Sequence, residues 1–184
     1  MMKRLENFED KGPFQLVKRP MTRKGLSVLE ILLVIAIIGA LTVLFYPRVM
    51  NTQEKRELEN TARDVLTTLQ HAKFQAVKTK INHRVSFVTS TRGWIFTVEK
   101  QDDQSQWNEM QGFMKKTIPS KYVVTVNLPG QAVVFSPLGF IANFSSSQNS
   151  ITLQSPKLKS YDQPDLRIIN VFAGGSVQYT KSQS

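Results

Sequence analysis

An α+β fold, in which one long N-terminal helix precedes a head rich in β-strands, is predicted by three features of this 184-residue sequence. An apolar run extends from Leu26 to Tyr46, broken only by Ser27, Glu30, Gly39 and Thr42. The segment after it keeps apolar residues at intervals of three and four, the period of one helical face. From Asn82 onward the pattern changes to short apolar runs divided by Pro, Gly, Asn and Ser, which reads as strands and turns. A block of strands following one long helix gives an α+β head.

The apolar run comes first. At about 1.5 Å per residue, 26–46 spans roughly 31 Å of helix, the thickness of a hydrocarbon core, so a transmembrane segment is predicted there. A cleaved secretory signal would have a shorter apolar core and a small-residue cleavage site, whereas Phe45-Tyr46-Pro47-Arg48 follows here. Before Leu26 stand Lys3, Arg4, Lys11, Lys18, Arg19, Arg23 and Lys24 against Glu6, Glu9 and Asp10, a net charge of +4. Lys and Arg beside a span stay on the cytoplasmic side, so the N-terminus is expected inside and the remaining chain across the membrane. The run holds one carboxylate, Glu30. Its burial in lipid costs roughly 2.5 to 3.5 kcal/mol, which marks it as a functional residue in need of a partner.

Beyond the span, Leu58, Ala62, Val65, Leu66, Leu69, Ala72, Ala76 and Val77 continue one helical stripe. Pro47 removes an amide donor and crowds the preceding turn, so a helix kink is expected there, with two separate helices as the alternative. The expected organisation is a leader at 1–25, a helix at 26–81 and a single head at 82–184. In the head, Arg84–Thr89 and Trp94–Val98 flank a turn at 90–93 and read as a hairpin. Further strands are expected at 122–126, 132–135, 140–142, 151–153, 166–172 and 176–179, with solvated loops at 101–109 and 145–150.

Gly25 follows two cations and precedes an apolar Leu26, Glu30 and a Leu/Ile/Val run through Gly39. That order closely resembles the type III signal of type IV pilins and pseudopilins. The resemblance implies a pilin-like fold, a cut after Gly25 by a prepilin peptidase, and N-methylation of Leu26, which stands where the family usually has Phe. Met21-Thr22-Arg23-Lys24-Gly25 would itself make a short basic leader, with Met21 as an alternative start. The new ammonium on Leu26 would lie one helical turn from Glu30 and could pair with it in the same or a neighbouring subunit.

Farther on, Arg63, Leu69 and Ala72, then Trp94, then Val134-Phe135-Ser136-Pro137-Leu138-Gly139, and finally Leu166–Val171 before Gly174-Gly175 and a last strand, resemble the GspH/FimT group of minor pilins and pseudopilins. This implies a minor subunit of a type II secretion pseudopilus in the bacterial inner membrane, its head periplasmic. The alternative is a minor type IV pilin acting in pilus biogenesis or DNA uptake. The partners implied are the prepilin peptidase, other pilin or pseudopilin subunits, an inner-membrane assembly platform, and membrane lipid before assembly. No cofactor is implied.

Enzyme chemistry finds little footing. The sequence has no cysteine, two histidines (His71 and His83), no H-E-x-x-H, no P-loop and no G-x-G-x-x-G. Ser136 and Ser176 have no evident base beside them. The whole chain carries +10, and +6 remains after the leader is removed. A positive surface attracts phosphate. Yet outside the helix the close basic pairs are only Lys115-Lys116 and Lys157/Lys159, and Gly175-Ser176-Val177-Gln178 stands where members implicated in DNA uptake tend to carry Gly-Arg-x-Arg. Trp94 and Trp107 are candidate binding aromatics, although an aromatic in an apolar strand more often belongs to the core.

Overall fold

The computed structural model describes residues 27–184, apart from the side chains of 44–51. The leader, Gly25 and Leu26 lie outside the described residues.

Helix α1 spans Val28–Thr79. At its start the Ser27 carbonyl accepts from the amides of Glu30 (2.9 Å) and Ile31 (3.2 Å). After its end Lys80 takes a φ of 60°, a left-handed conformation that cannot propagate the helix. Helical residues continue on both sides of Pro47, so the alternative of two separate helices is overturned. One proline removes a single amide bond, and the turns around it still close their own.

The chain divides into two compact units between Val43 and Leu44. In the first, the apolar side chains from Val28 to Val43 are exposed. Among the described residues, no helix is long and apolar enough to cross a membrane. The expected span at 26–46 begins outside the described residues and ends among side chains that are not described.

In the second unit α1 packs on two antiparallel sheets. Leu58, Ala62, Val65, Leu69, Ala72 and Ala76 are fully buried and make the stripe that its spacing predicts. Two expected members sit at its margins: Leu66 is half-buried and Val77 is exposed. The first sheet contains β1 (His83–Ser90), β2 (Gly93–Gln101), β3 (Trp107–Glu109), β4 (Lys116–Pro119) and β6 (Ala132–Phe135). Its order is β3-β2-β1-β6, with β4 also paired to β2. The expected hairpin is β1 and β2, in register from His83 opposite Lys100 to Ser90 opposite Gly93. The second sheet contains β5 (Val123–Asn127), β7 (Ser150–Gln154), β8 (Leu166–Val171) and β9 (Val177–Ser182), ordered β5-β7-β8-β9. Phe87, Phe96, Phe135, Ile118, Ile151, Leu153 and Ile169 fill the core with the α1 stripe.

Several expectations need correction. The loop expected at 101–109 contains β3, which pairs Glu99 with Glu109 and Gln101 with Trp107. The strand expected at 140–142 is reduced to one bridge between Phe135 and Ile141. Beside it the Asn143 side chain takes the place of a neighbouring strand. Its Oδ1 accepts from the Val134 amide (2.9 Å) and its Nδ2 donates to the Ala132 carbonyl (2.8 Å). An edge satisfied in this way needs no further strand and offers less to a foreign one. Short helix α2 (Pro156–Ser160) was not anticipated; Ser155 caps it, accepting from the Leu158 amide at 3.4 Å.

Candidate assembly surface

Glu30 lies in the first turn of α1, where the helix dipole favours a carboxylate. It shares one side of the helix with Ile31, Val34 and Ile35. Among the described residues its carboxylate has no hydrogen-bond or ion-pair partner. Ser27-Val28-Leu29-Glu30 also has the S-x-x-E spacing of a capping box, a local signal for this helix start that the membrane argument overlooks. Pro47 lies within α1, and Gly25 and Leu26 are outside the described residues.

The two turns that stand out in the head sequence meet in space. Ser136-Pro137-Leu138-Gly139 closes with the Gly139 amide donating to the Ser136 carbonyl at 2.8 Å, and Gly139 has a φ of +82°. The turn from β8 to β9 closes with the Gly175 amide donating to the Phe172 carbonyl at 2.7 Å. A Cβ on Gly175 would lie 1.9 Å from the Gly139 carbonyl oxygen, and the Gly175 φ of +73° disfavours any side chain. The Ile141 amide donates to the Ala173 carbonyl at 3.0 Å, so the two turns are bonded as well as touching. This clasp joins the two sheets beside Lys73 and Val77 of α1, each with an atom 3.2 Å from where a Cβ on Gly139 would stand. Sequence spacing marks both turns, but it gives no sign that they touch.

Ion pairs fasten the head to α1. Glu59 accepts from Lys181 of β9 at 2.8 Å and from Arg63 at 2.9 Å, and these bonds hold its carboxyl down at about 2. Lys116 of β4 bonds Asp64 at 2.7 Å. Glu54, only 8% exposed, accepts from Ser155 Oγ at 3.0 Å and Lys121 Nζ at 3.3 Å. Partial burial opposes the charge on Lys121, yet the bond to Glu57 and the nearby Tyr122 and Glu54 outweigh it and hold the ammonium above its ordinary range. The spacing of the sequence gives no hint of this Glu54–Ser155–Lys121 cluster, because its members are brought together from remote segments.

The basic residues are correspondingly less free than their number suggests. Lys115 pairs with Glu109, Lys116 with Asp64 and Arg84 with Glu99. Arg84 also lies 4.5 Å over the Trp107 ring, and Trp94 packs partly against the core. Arg167 is buried within β8, donating from Nη1 to the carbonyls of Leu166 (2.8 Å) and Pro164 (3.1 Å). His71 stacks on Phe113 with ring centroids 5.3 Å apart, and buried His83 meets the Ile81 carbonyl at 2.9 Å through Nδ1. Among the described residues, no group of His, Asp and Glu could hold a metal ion.

Residues 61–175 match the family model for GspH, type II transport protein GspH. Among solved structures, the fold is similar to that of the minor pseudopilin EpsH from the type 2 secretion system of Vibrio cholerae. That likeness has a TM-score of 0.52 and 11% identity, covering 68% of this chain and 97% of that one. It is also similar to that of the type IV minor pilin FimU from Pseudomonas aeruginosa, with a TM-score of 0.50 and 14% identity, over 72% of this chain and 98% of that one. At such low identity these likenesses speak for the fold alone. No match was found among curated proteins. The family match takes in α1 from Thr61, both sheets as far as β8, and both turns of the clasp: the chain belongs to the GspH family of type II transport proteins.

Proposed function

We propose that the chain is a minor pseudopilin, a structural subunit rather than an enzyme, whose head joins the pseudopilus of a type II secretion system. Membership of the GspH family carries this reading. In it, residues 26–46 hold the precursor in the bacterial inner membrane with the head periplasmic, and a prepilin peptidase cuts after Gly25 and methylates Leu26. The exposed apolar side chains from Val28 to Val43 support an anchor that meets lipid before assembly and neighbouring subunits afterwards. Pro47 lets that spine bend as subunits pack against one another and against the assembly platform.

Glu30 supplies the chemistry of addition. The ammonium released on Leu26 pairs with the Glu30 carboxylate of a neighbouring subunit, so entry into the filament cancels a charge that lipid makes costly. Glu30→Ala is expected to insert and be cut normally but to enter filaments poorly. Quantifying membrane-bound and filament-bound chain by immunoblot tests this; wild-type incorporation of the variant rules out the pairing. Mass spectrometry of the mature N-terminus tests the processing step, and a first residue other than Leu26 overturns it.

The fold likeness to FimU is compatible with a second reading, a minor type IV pilin for pilus biogenesis or DNA uptake. The pairing of Lys115 and Lys116 with carboxylates supports the first reading over DNA uptake, because those cations are partly neutralised. Titrating the full chain in micelles with duplex DNA at several salt concentrations separates them: micromolar binding with a steep salt slope favours uptake.

A further inference from the structure

Beside the clasp, Gln70, Lys73, Phe74 and Val77 of α1 face Gly175, Ser176 and Val177 across an open groove of about 510 Å³. Of the apolar side chains that line it, Phe74 is 60% exposed, and Leu138, at the tip of the adjoining first turn, is 77% exposed. Phe172 and Val77 are exposed as well. Exposed apolar side chains gathered beside a groove are a mark of interaction sites. Lysines rim the groove. Lys73 extends over the second turn, its Nζ 3.2 Å from where a Cβ on Gly175 would stand, and Lys78 lies 6.0 Å over the Phe74 ring. Among the described residues, neither has a carboxylate within ion-pair distance; they share this with other cations such as Lys80, Lys100, Lys157 and Lys159, whereas six cations of the head and α1 are paired.

We propose that this groove docks a segment of another protein that presents carboxylates on either side of apolar side chains. The centre supplies affinity, since covering a bare Phe or Leu side chain is worth roughly 1.5 to 3 kcal/mol. The unpaired lysines select the partner, because rim charges govern specificity and encounter rate more than affinity. Nucleic acid fits less well. Phe74 is the one ring among the residues that line the groove, Val77 and Val177 offer a base no stacking face, and two ammoniums make a short phosphate track. The inference is independent of which filament the chain joins.

The test uses the full chain in neutral detergent micelles and three fluorescent peptides of one length, built from Leu with Glu, Leu with Gln, and Leu with Lys. Anisotropy is expected to show saturable binding of the Leu/Glu peptide, with about tenfold loss for the Leu/Gln peptide and no binding of the Leu/Lys peptide. Lys73→Glu/Lys78→Glu should weaken the Leu/Glu peptide by about tenfold or more and bring in the Leu/Lys peptide. Leu138→Asp, at a position with no core contact to lose, should weaken the Leu/Glu peptide with unchanged far-UV circular dichroism. Equal binding of all three peptides, or indifference to these substitutions, overturns the proposal. So does sedimentation in which the wild-type chain self-associates and the double variant does not, because the occupant would then be a second copy. Tighter binding of duplex DNA than of the Leu/Glu peptide, abolished by the double variant, overturns it in favour of nucleic acid.

Discussion

Replacing Gly175 with alanine sets a new Cβ 1.9 Å from the Gly139 carbonyl oxygen and 3.1 Å from the carbonyl carbon. Both atoms are backbone, so no side chain can swing aside. The φ of +73° adds a left-handed penalty of about 1 to 2 kcal/mol for a residue with a Cβ. To restore ordinary contact the two turns must separate by more than an ångström, which breaks the Ile141 to Ala173 bond, at 3.0 Å, for about 1 kcal/mol more. The expected cost is about 2 to 4 kcal/mol. The neighbouring Gly174 has nothing within 4 Å of its built Cβ, so Gly174→Ala should stay within about 0.5 kcal/mol of wild type. Urea unfolding of the full chain in micelles, followed by tryptophan emission from Trp94 and Trp107 and compared at constant m, measures both. Equal losses from the two alanines, or a loss under about 1 kcal/mol at Gly175, would refute the clasp as a determinant of stability.

Acid should weaken the docking of β9. The Glu59 carboxyl is lowered to about 2 from 4.5, so its stabilisation is fully present above 4.5 and fades as pH falls towards 2. Because Arg63 and Lys181 are largely exposed, the effect is about 1 kcal/mol, and Glu59→Gln should remove that part of the pH dependence in urea titrations. Ser155→Ala loses both the α2 cap and the bond to buried Glu54, and is expected to cost about 1 to 3 kcal/mol in the same assay. Asn143→Ala should cost about 1 to 3 kcal/mol and speed hydrogen exchange at the Val134 amide, which loses its Asn143 Oδ1 partner. Unchanged exchange at Val134 would contradict the edge-capping role of Asn143.

Local pattern carried the long helix, the hairpin and most strands, because each rests on periodicity within a few neighbouring residues. The α1 stripe from Leu58 to Ala76 is buried as its spacing predicts. It failed where a backbone edge is satisfied from elsewhere. Phe140–Ala142 reads as a strand but pairs only at Ile141, because the Asn143 side chain holds the rest of the β6 edge. Trp107–Glu109 reads as a loop but pairs with β2, since its polar residues need only backbone groups to join a ladder.

The sequence alone determined the helical spine with its single early carboxylate, the β-rich head, and the two glycine turns that mark the family. These are local facts, written in the order of apolar, charged and turn residues. Only the tertiary structure decided that the two turns form one clasp, that Glu54 is buried against Ser155 and Lys121, and that Lys73 and Lys78 rim an apolar groove while Lys115 and Lys116 are paired. Residues far apart in the chain meet there, and no period of two or of three and a half records which distant segments the burial of a common core will bring within a few ångströms.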